Sequence, residues 1–259
     1  MNIIYNFLFW TFIYRTARFL TQGSKRKDLK DWSSKDDSRT ISFYTVSTVH
    51  SMIMIFIPLY HFYHLEDYNL VVPFTEEQLT LLDMSLSYFM WDFYYIYLHN
   101  SKMFLVHHLL SIFYMLMFRS YPLANAYLVS IFLPEVTTPL LNIWTIGRMK
   151  KYGYFDKING FFTYFYIAVR VFSLIPFSVY AFMELYNSDH IPNYIALILG
   201  GVSIIYSMGN ITWSKNLYRG YKKWSLKKNG GSSSTSERGG PCVTERSSST
   251  MDQLSSHSS

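Results

Sequence analysis

The residue types best suited to chemistry cluster in two neighbouring stretches. One is Ser87-Tyr88-Phe89-Met90-Trp91-Asp92-Phe93-Tyr94-Tyr95-Ile96-Tyr97-Leu98-His99, with the carboxylate Asp92 at its centre; the other, a short loop later, carries His107-His108. Histidine titrates near neutrality and can act as general base, proton shuttle, nucleophile or metal ligand. On a helix, Asp92 has Tyr88 at i−4 and Tyr95 at i+3 on its own face, and Ser111 stands at i+4 from His107. Adjacent helical residues are about 100° apart, so the two imidazoles point different ways. One is expected to face a cavity while the other buttresses a neighbouring helix. A metal site would want further ligands at helical spacing, and HxxxH, ExxH and CxxC are all absent, so no metal ligands are assigned. A His pair in an apolar helix also serves as an interhelical hydrogen-bonding device. The carboxylate one loop away tips the reading toward acid–base chemistry, with His107, His108, Asp92 and Glu135 as candidate catalytic residues.

Further polar residues recur inside apolar runs. In Pro134-Glu135-Val136-Thr137-Thr138-Pro139-Leu140-Leu141-Asn142, the side chains of Glu135, Thr138 and Asn142 share a face at i, i+3 and i+7. The two prolines remove rungs of the helix ladder and expose carbonyls that neighbours or water must satisfy. Arg170, with Thr163, Tyr166 and Ser173 nearby, either pairs with Glu135 or binds a lipid phosphate or carboxylate. His50 lies between Ser47 and Ser51, and the last apolar run offers Ser203, Ser207 and Asn210 before Trp213, where small residues and amides serve as packing glue. Candidate substrate- or lipid-binding residues are Arg170, His50, Tyr95, Asn142 and Asn210.

Such side chains need apolar helices to carry them. The chain has seven runs near the roughly 20 residues that cross a bilayer: Ile3–Leu20, Ile41–Tyr63, Leu79–Leu98, Met103–Arg119, Leu123–Gly147, Gly160–Met183 and Ile191–Trp213. The expected fold is an all-α polytopic membrane protein, a bundle of six or seven transmembrane helices around a polar interior cavity. Arg15 and Arg18 interrupt the first run; without it six crossings remain and all other orientations are kept. The first connection carries Lys25, Arg26, Lys27, Lys30, Lys35 and Arg39, whereas the second carries Glu66, Asp67, Glu76 and Glu77 with no Lys or Arg. Arg148, Lys150, Lys151 and Lys157 follow the fifth run, Glu184 and Asp189 the sixth, and Lys215, Arg219, Lys222, Lys223, Lys227 and Lys228 the last. Basic loops thus alternate with acidic ones, which places the N-terminus in the lumen and the C-terminus in the cytosol. The net charge of +6 is juxtamembrane and suits anionic lipid, so nucleic acid is not an expected partner.

The N-terminal run lacks the basic n-region and small-x-small site of a cleaved signal and is expected to be a retained anchor. The single cysteine, Cys242, leaves the fold to packing and polar contacts. Three regions are expected: 1–38, an anchor helix and basic cytosolic loop; 39–220, the membrane domain; and 221–259, a Ser-rich cytosolic tail that buries too little apolar surface to order. Paired broken helices in two similar halves, the mark of many transporters, are not seen, since of the prolines inside the runs only Pro134 and Pro139 break a helix convincingly.

Taken in order, several features resemble the TLC-domain family of ceramide synthases, translocon-associated TRAM proteins and a ceroid lipofuscinosis protein. They are the Asp-bearing tyrosine-rich helix, His107-His108, the Pro-Glu-x-Thr-Thr-Pro-x-x-Asn segment, the helix with Arg170 and Asn210-x-x-Trp213, and they span about Arg39 to Gly220. The small TLC-domain proteins of the transmembrane protein 56 type share a His-Ser in their second span, as His50-Ser51 here. The resemblance implies an endoplasmic-reticulum bundle acting in membrane lipid homeostasis. In the ceramide synthases the His pair belongs to an N-acyltransferase active site and an HDxxD-type aspartate pair follows; here Glu135 between prolines stands in that place. The expected activity is His-dependent acyl transfer to a lipid or sphingoid acceptor, with acyl-coenzyme A as candidate co-substrate and no further cofactor assigned. The alternative is a non-catalytic lipid-binding, membrane-organising or cargo-receptor protein. Expected partners are membrane lipids, with a homo-oligomer and trafficking factors on the cytosolic tail as further candidates.

The charge pattern makes a topological prediction. A glycosylation acceptor inserted between Tyr68 and Glu76 should be modified in the lumen, and one between Arg148 and Lys157 should stay unmodified. The reverse pattern would overturn both the orientation and the helix count.

Overall fold

The computed structural model describes residues 3–23, 35–64, 69–98, 102–150 and 154–230, and excludes a few side chains next to the gaps, that of Tyr95 among them. The helices are α1 Ile3–Gly23, α2 Lys35–Tyr63, α3 Glu76–Leu98, α4 Lys102–Ser120, α5 Ala124–Glu135, α6 Thr138–Lys150, α7 Phe155–Ile167, α8 Leu174–Tyr186 and α9 Asn193–Gly230. A π-helical segment, Ala168–Ser173, joins α7 to α8. Each expected apolar run falls on one of these rods to within two residues, and the fifth and sixth runs are each made of two helices.

Local chemistry sets several helix ends. Thr75 and Gln78 form a reciprocal capping box at the start of α3: the Thr75 amide donates to Gln78 Oε1 (3.0 Å) and the Gln78 amide to Thr75 Oγ1 (3.2 Å). Glu76 and Glu77 in the same first turn complement the helix dipole. Pro134 and Pro139 divide the fifth run into α5 and α6, because neither can supply the amide that would continue the ladder.

The chain is a helical polytopic membrane protein. Thr40–Tyr63, Ala124–Arg148, Ile158–Tyr186 and Asn193–Lys227 are each long and apolar enough to cross a bilayer, and Leu105–Ser120 is a shorter apolar helix. Arg15 and Arg18 dilute the hydropathy of α1, and Asp83 and Asp92 that of α3. Only 17% of the most apolar window of Ile158–Tyr186 is buried within the protein. Leu8, Phe12, Phe56, Leu59, Leu109, Phe172, Val179, Ile204 and Met208 are all exposed. In water so much apolar surface would drive aggregation, whereas lipid tails accept it at no cost.

α1 packs closely on α2 and α3, α3 on α4, α2 on α5 and α6, and α5 on the π segment and α8. The main core runs through Trp10, Val46, Met54, Leu82, Leu86, Trp91, Tyr127, Leu128 and Leu199. A smaller cluster gathers Phe162, Tyr166 and Leu217 with Trp144 and Trp213 against it. α1 is built into the core, with Trp10 fully buried. The last helix reaches Gly230, ten residues into the segment 221–259 expected to be disordered; Lys222, Lys223, Leu226 and Lys227 are good helix formers, and the lysines suit a helix C-terminus. The Ser-rich remainder lies outside the described residues.

The glycines of α9 yield a stability prediction. A Cβ on Gly200 would meet Phe182 Cδ2 at 2.6 Å, whereas Gly201 and Gly209 have nothing within 4 Å. Gly201→Ala and Gly209→Ala should each raise stability by about 0.5–1 kcal/mol through helix propensity. Gly200→Ala should lower the thermal midpoint in detergent, because the ring of Phe182 must move.

Candidate functional site

The third and fourth helices meet through one short contact. His108 Nε2 lies 2.6 Å from Asp92 Oδ2, with both side chains buried. The Tyr88 hydroxyl, one turn earlier on α3, donates to the same oxygen at 3.1 Å. These bonds answer the cost of placing a carboxylate at membrane depth, which is several kcal/mol when it stands alone. The 100° offset between successive residues turns His107 elsewhere: its ring packs on Tyr206 of α9, centroids 5.0 Å apart, and stands at 75° to His108.

A second histidine–acid couple lies beside the first. His50 of α2 is fully buried and stacks on the Tyr88 ring, centroids 3.7 Å apart at 11°. Its Nδ1 is 4.0 Å from Glu135 Oε2 at the end of α5. Neither nitrogen of His50, nor Glu135 Oε2, nor Asp92 Oδ1 has a hydrogen-bond partner among the described residues. Buried polar atoms left this way are rare in folded proteins and mark places where a further polar group belongs. Tyr88 thus touches both couples, by its ring on one side and its hydroxyl on the other.

Arg170 turns to the break between two helices rather than to a carboxylate. It sits in the π segment, donates from Nη2 to the carbonyl of Pro134 (2.9 Å) and from Nε to Thr137 Oγ1 (3.0 Å), and lies over the Tyr166 ring at 5.4 Å. The Tyr206 side chain also lies close to the guanidinium. The guanidinium therefore braces the break between α5 and α6, close enough to Glu135 for mutual attraction but without an ion pair within 4.0 Å among the described residues. Single-turn π-bulges collect at functional sites, and here the bulge aims a buried cation at a broken helix.

Of the remaining candidates, Asn142 links two helices. Asn142 donates from Nδ2 to Ser47 Oγ (3.2 Å) and Thr48 Oγ1 (2.9 Å), tying α6 to α2. Asn210 is buried and donates to the Tyr206 carbonyl of its own helix. The Tyr95 side chain lies outside the described residues. Among the described residues, no three His, Cys, Asp or Glu side chains gather closely enough to hold a metal ion. Two pairings escaped the sequence reading: Asp83 with the exposed Arg119, and Trp10 with the carbonyl of Met84 and the hydroxyl of Ser87. Asn6, Trp10, Tyr14 and Ala17, an inward stripe at helical spacing, would have signalled the second.

A membrane-embedded bundle with a histidine–carboxylate couple at its centre is the class that these observations define. The family model for the TLC domain matches residues 40–219, and the chain belongs to the TLC-domain family. That membership points to a lipid-related role in the membrane. No curated protein matches the chain.

The brace predicts a pattern of coupling. Arg170→Lys keeps the charge but loses the forked geometry, and should cost about 1.5–3 kcal/mol in unfolding measurements. In double-mutant cycles, Arg170→Lys with Thr137→Val should show coupling of about 1 kcal/mol, larger than that of Arg170→Lys with Glu135→Gln. A dominant Glu135 coupling would restore the ion pair as the main contact.

Proposed function

We propose that the chain is an endomembrane acyltransferase, located in the endoplasmic reticulum with its C-terminus in the cytosol, that moves an acyl group from a thioester to a lipid amine or hydroxyl. The observation that carries this reading is the 2.6 Å contact between His108 Nε2 and Asp92 Oδ2, with Tyr88 donating to the same oxygen. Asp92 fixes the tautomer of His108, so that Nδ1 is the nitrogen that takes the proton from the attacking amine or hydroxyl. As the new C–N or C–O bond forms and the C–S bond of the thioester breaks, the imidazolium returns that proton to the departing thiolate. Asp92 stabilises the imidazolium in the interval, in an interior where electrostatic interactions are far stronger than in water. Apolar walls of the bundle supply the space that an acyl chain requires.

A second reading is lipid binding without turnover. It is favoured by the buried polar atoms of His50, Glu135 and Tyr166 that lack partners among the described residues, which a bound headgroup would satisfy.

Lipid profiles of cells lacking the protein, rescued with wild type, His108→Ala or Asp92→Asn, separate the two. Under acyl transfer, wild type restores the product and the variants lower its formation roughly 10²- to 10⁴-fold, the usual scale of acid–base catalysis. Equal rescue by wild type and both variants, with lipid still bound to the purified variants, would favour the binding reading.

A further inference from the structure

α1 lies wholly before the matched domain, which begins at residue 40, yet its central tryptophan reaches the site. Trp10 is fully buried, and its indole N–H donates to Met84 O and to Ser87 Oγ, both at 3.3 Å, on α3. Its ring meets His50 edge-on at 5.7 Å and 71°, and Tyr88 at 5.4 Å and 70°. One turn on, Tyr14 packs against Trp91 at 5.7 Å. The opposite face of α1, with Leu8, Phe12 and Phe19, is exposed. The helix thus has one lipid-facing side and one side committed to α2 and α3.

The imidazole of His50 has no hydrogen bond to orient it among the described residues. Aromatic rings do so instead: Tyr88 covers its face, while Trp10 and Phe89 stand at its edges, Phe89 at 5.6 Å and 90°. Edge-to-face contacts of this kind favour definite ring directions. The indole N–H anchors Trp10 to α3 one residue before Tyr88, so one side chain fixes the ring against which His50 and Tyr88 both rest.

We propose that α1 is a wall of the functional site and that Trp10 is a positioning residue, holding His50 against Tyr88 and thereby the hydroxyl of Tyr88 against Asp92. The proposal rests on the acid–base reading above for its functional meaning. Its geometry is tested without turnover.

The test uses the full chain in lipid nanodiscs, treated with diethyl pyrocarbonate, with modification of each histidine followed by mass spectrometry. His64 and His190, both exposed, report the free reaction rate. In Trp10→Leu, which keeps apolar bulk but removes ring and donor, His50 should react about tenfold faster as its local protection falls, while His108 keeps its native rate. Trp10→Phe keeps a ring and loses only the donor, and should give a rise of about threefold at His50 alone. An unchanged His50 rate in Trp10→Phe overturns the proposal. So does a rise at His50 matched by His108 in either variant, because that is the signature of a loosened bundle. Neither result bears on whether the protein transfers acyl groups, which the His108→Ala rescue decides separately.

Discussion

A carboxylate at membrane depth is the constraint around which this interior is arranged. Asp92 cannot be left to lipid, and among the described residues it takes two donors on one oxygen, the ring of His108 and the hydroxyl of Tyr88. Each requirement recruits a helix. His108 fixes α4 against α3, and the Tyr88 ring becomes the surface on which His50 of α2 lies flat. Glu135 then stands opposite His50, which brings in the end of α5. Desolvation penalties of several kcal/mol per buried charge make this arrangement hard to replace piecemeal.

Broken backbone imposes a second constraint of the same kind. A carbonyl freed where a helix breaks inside a bilayer has no water to turn to and must find a donor in the protein. The carbonyl of Pro134 finds three: the amide of Thr137 at 3.2 Å, its hydroxyl at 2.9 Å, and the guanidinium of Arg170 at 2.9 Å. The π segment widens α7–α8 by one residue where Arg170 must reach across, so two irregular pieces of backbone sustain each other. A regular helix at either place would remove the reason for the other.

The helical, membrane-spanning character was legible because it follows from length and hydropathy, which need no partner. His107 and His108 were legible as pointing apart, since 100° per residue is a property of any helix. The partners of Arg170 were not. Its charge suggested Glu135 or a lipid anion, but whether a guanidinium meets a carboxylate or a carbonyl depends on the π-bulge, and no residue in Ala168–Ser173 announces one. α1 was the least certain span because two arginines interrupt it, while the buried stripe of Asn6, Trp10, Tyr14 and Ala17 shows that the arginines mark one end of a helix whose middle is core. Charge position along the helix, not charge count, carried the information.

Electroneutrality links these pieces. Asp83 and Arg119 cancel each other within their own pair. At the centre, Asp92 and Glu135 bring two negative charges and Arg170 one positive charge, so the interior is short of one positive charge if the histidines are neutral. A net charge in low dielectric is far more costly than a balanced one. One more positive charge would close the deficit, and His108 beside Asp92 and His50 beside Glu135, 4.0 Å away, are the two places where an imidazolium would face an acid. Tyr88 joins them, its ring on His50 and its hydroxyl on Asp92, so both couples share one balance of charge.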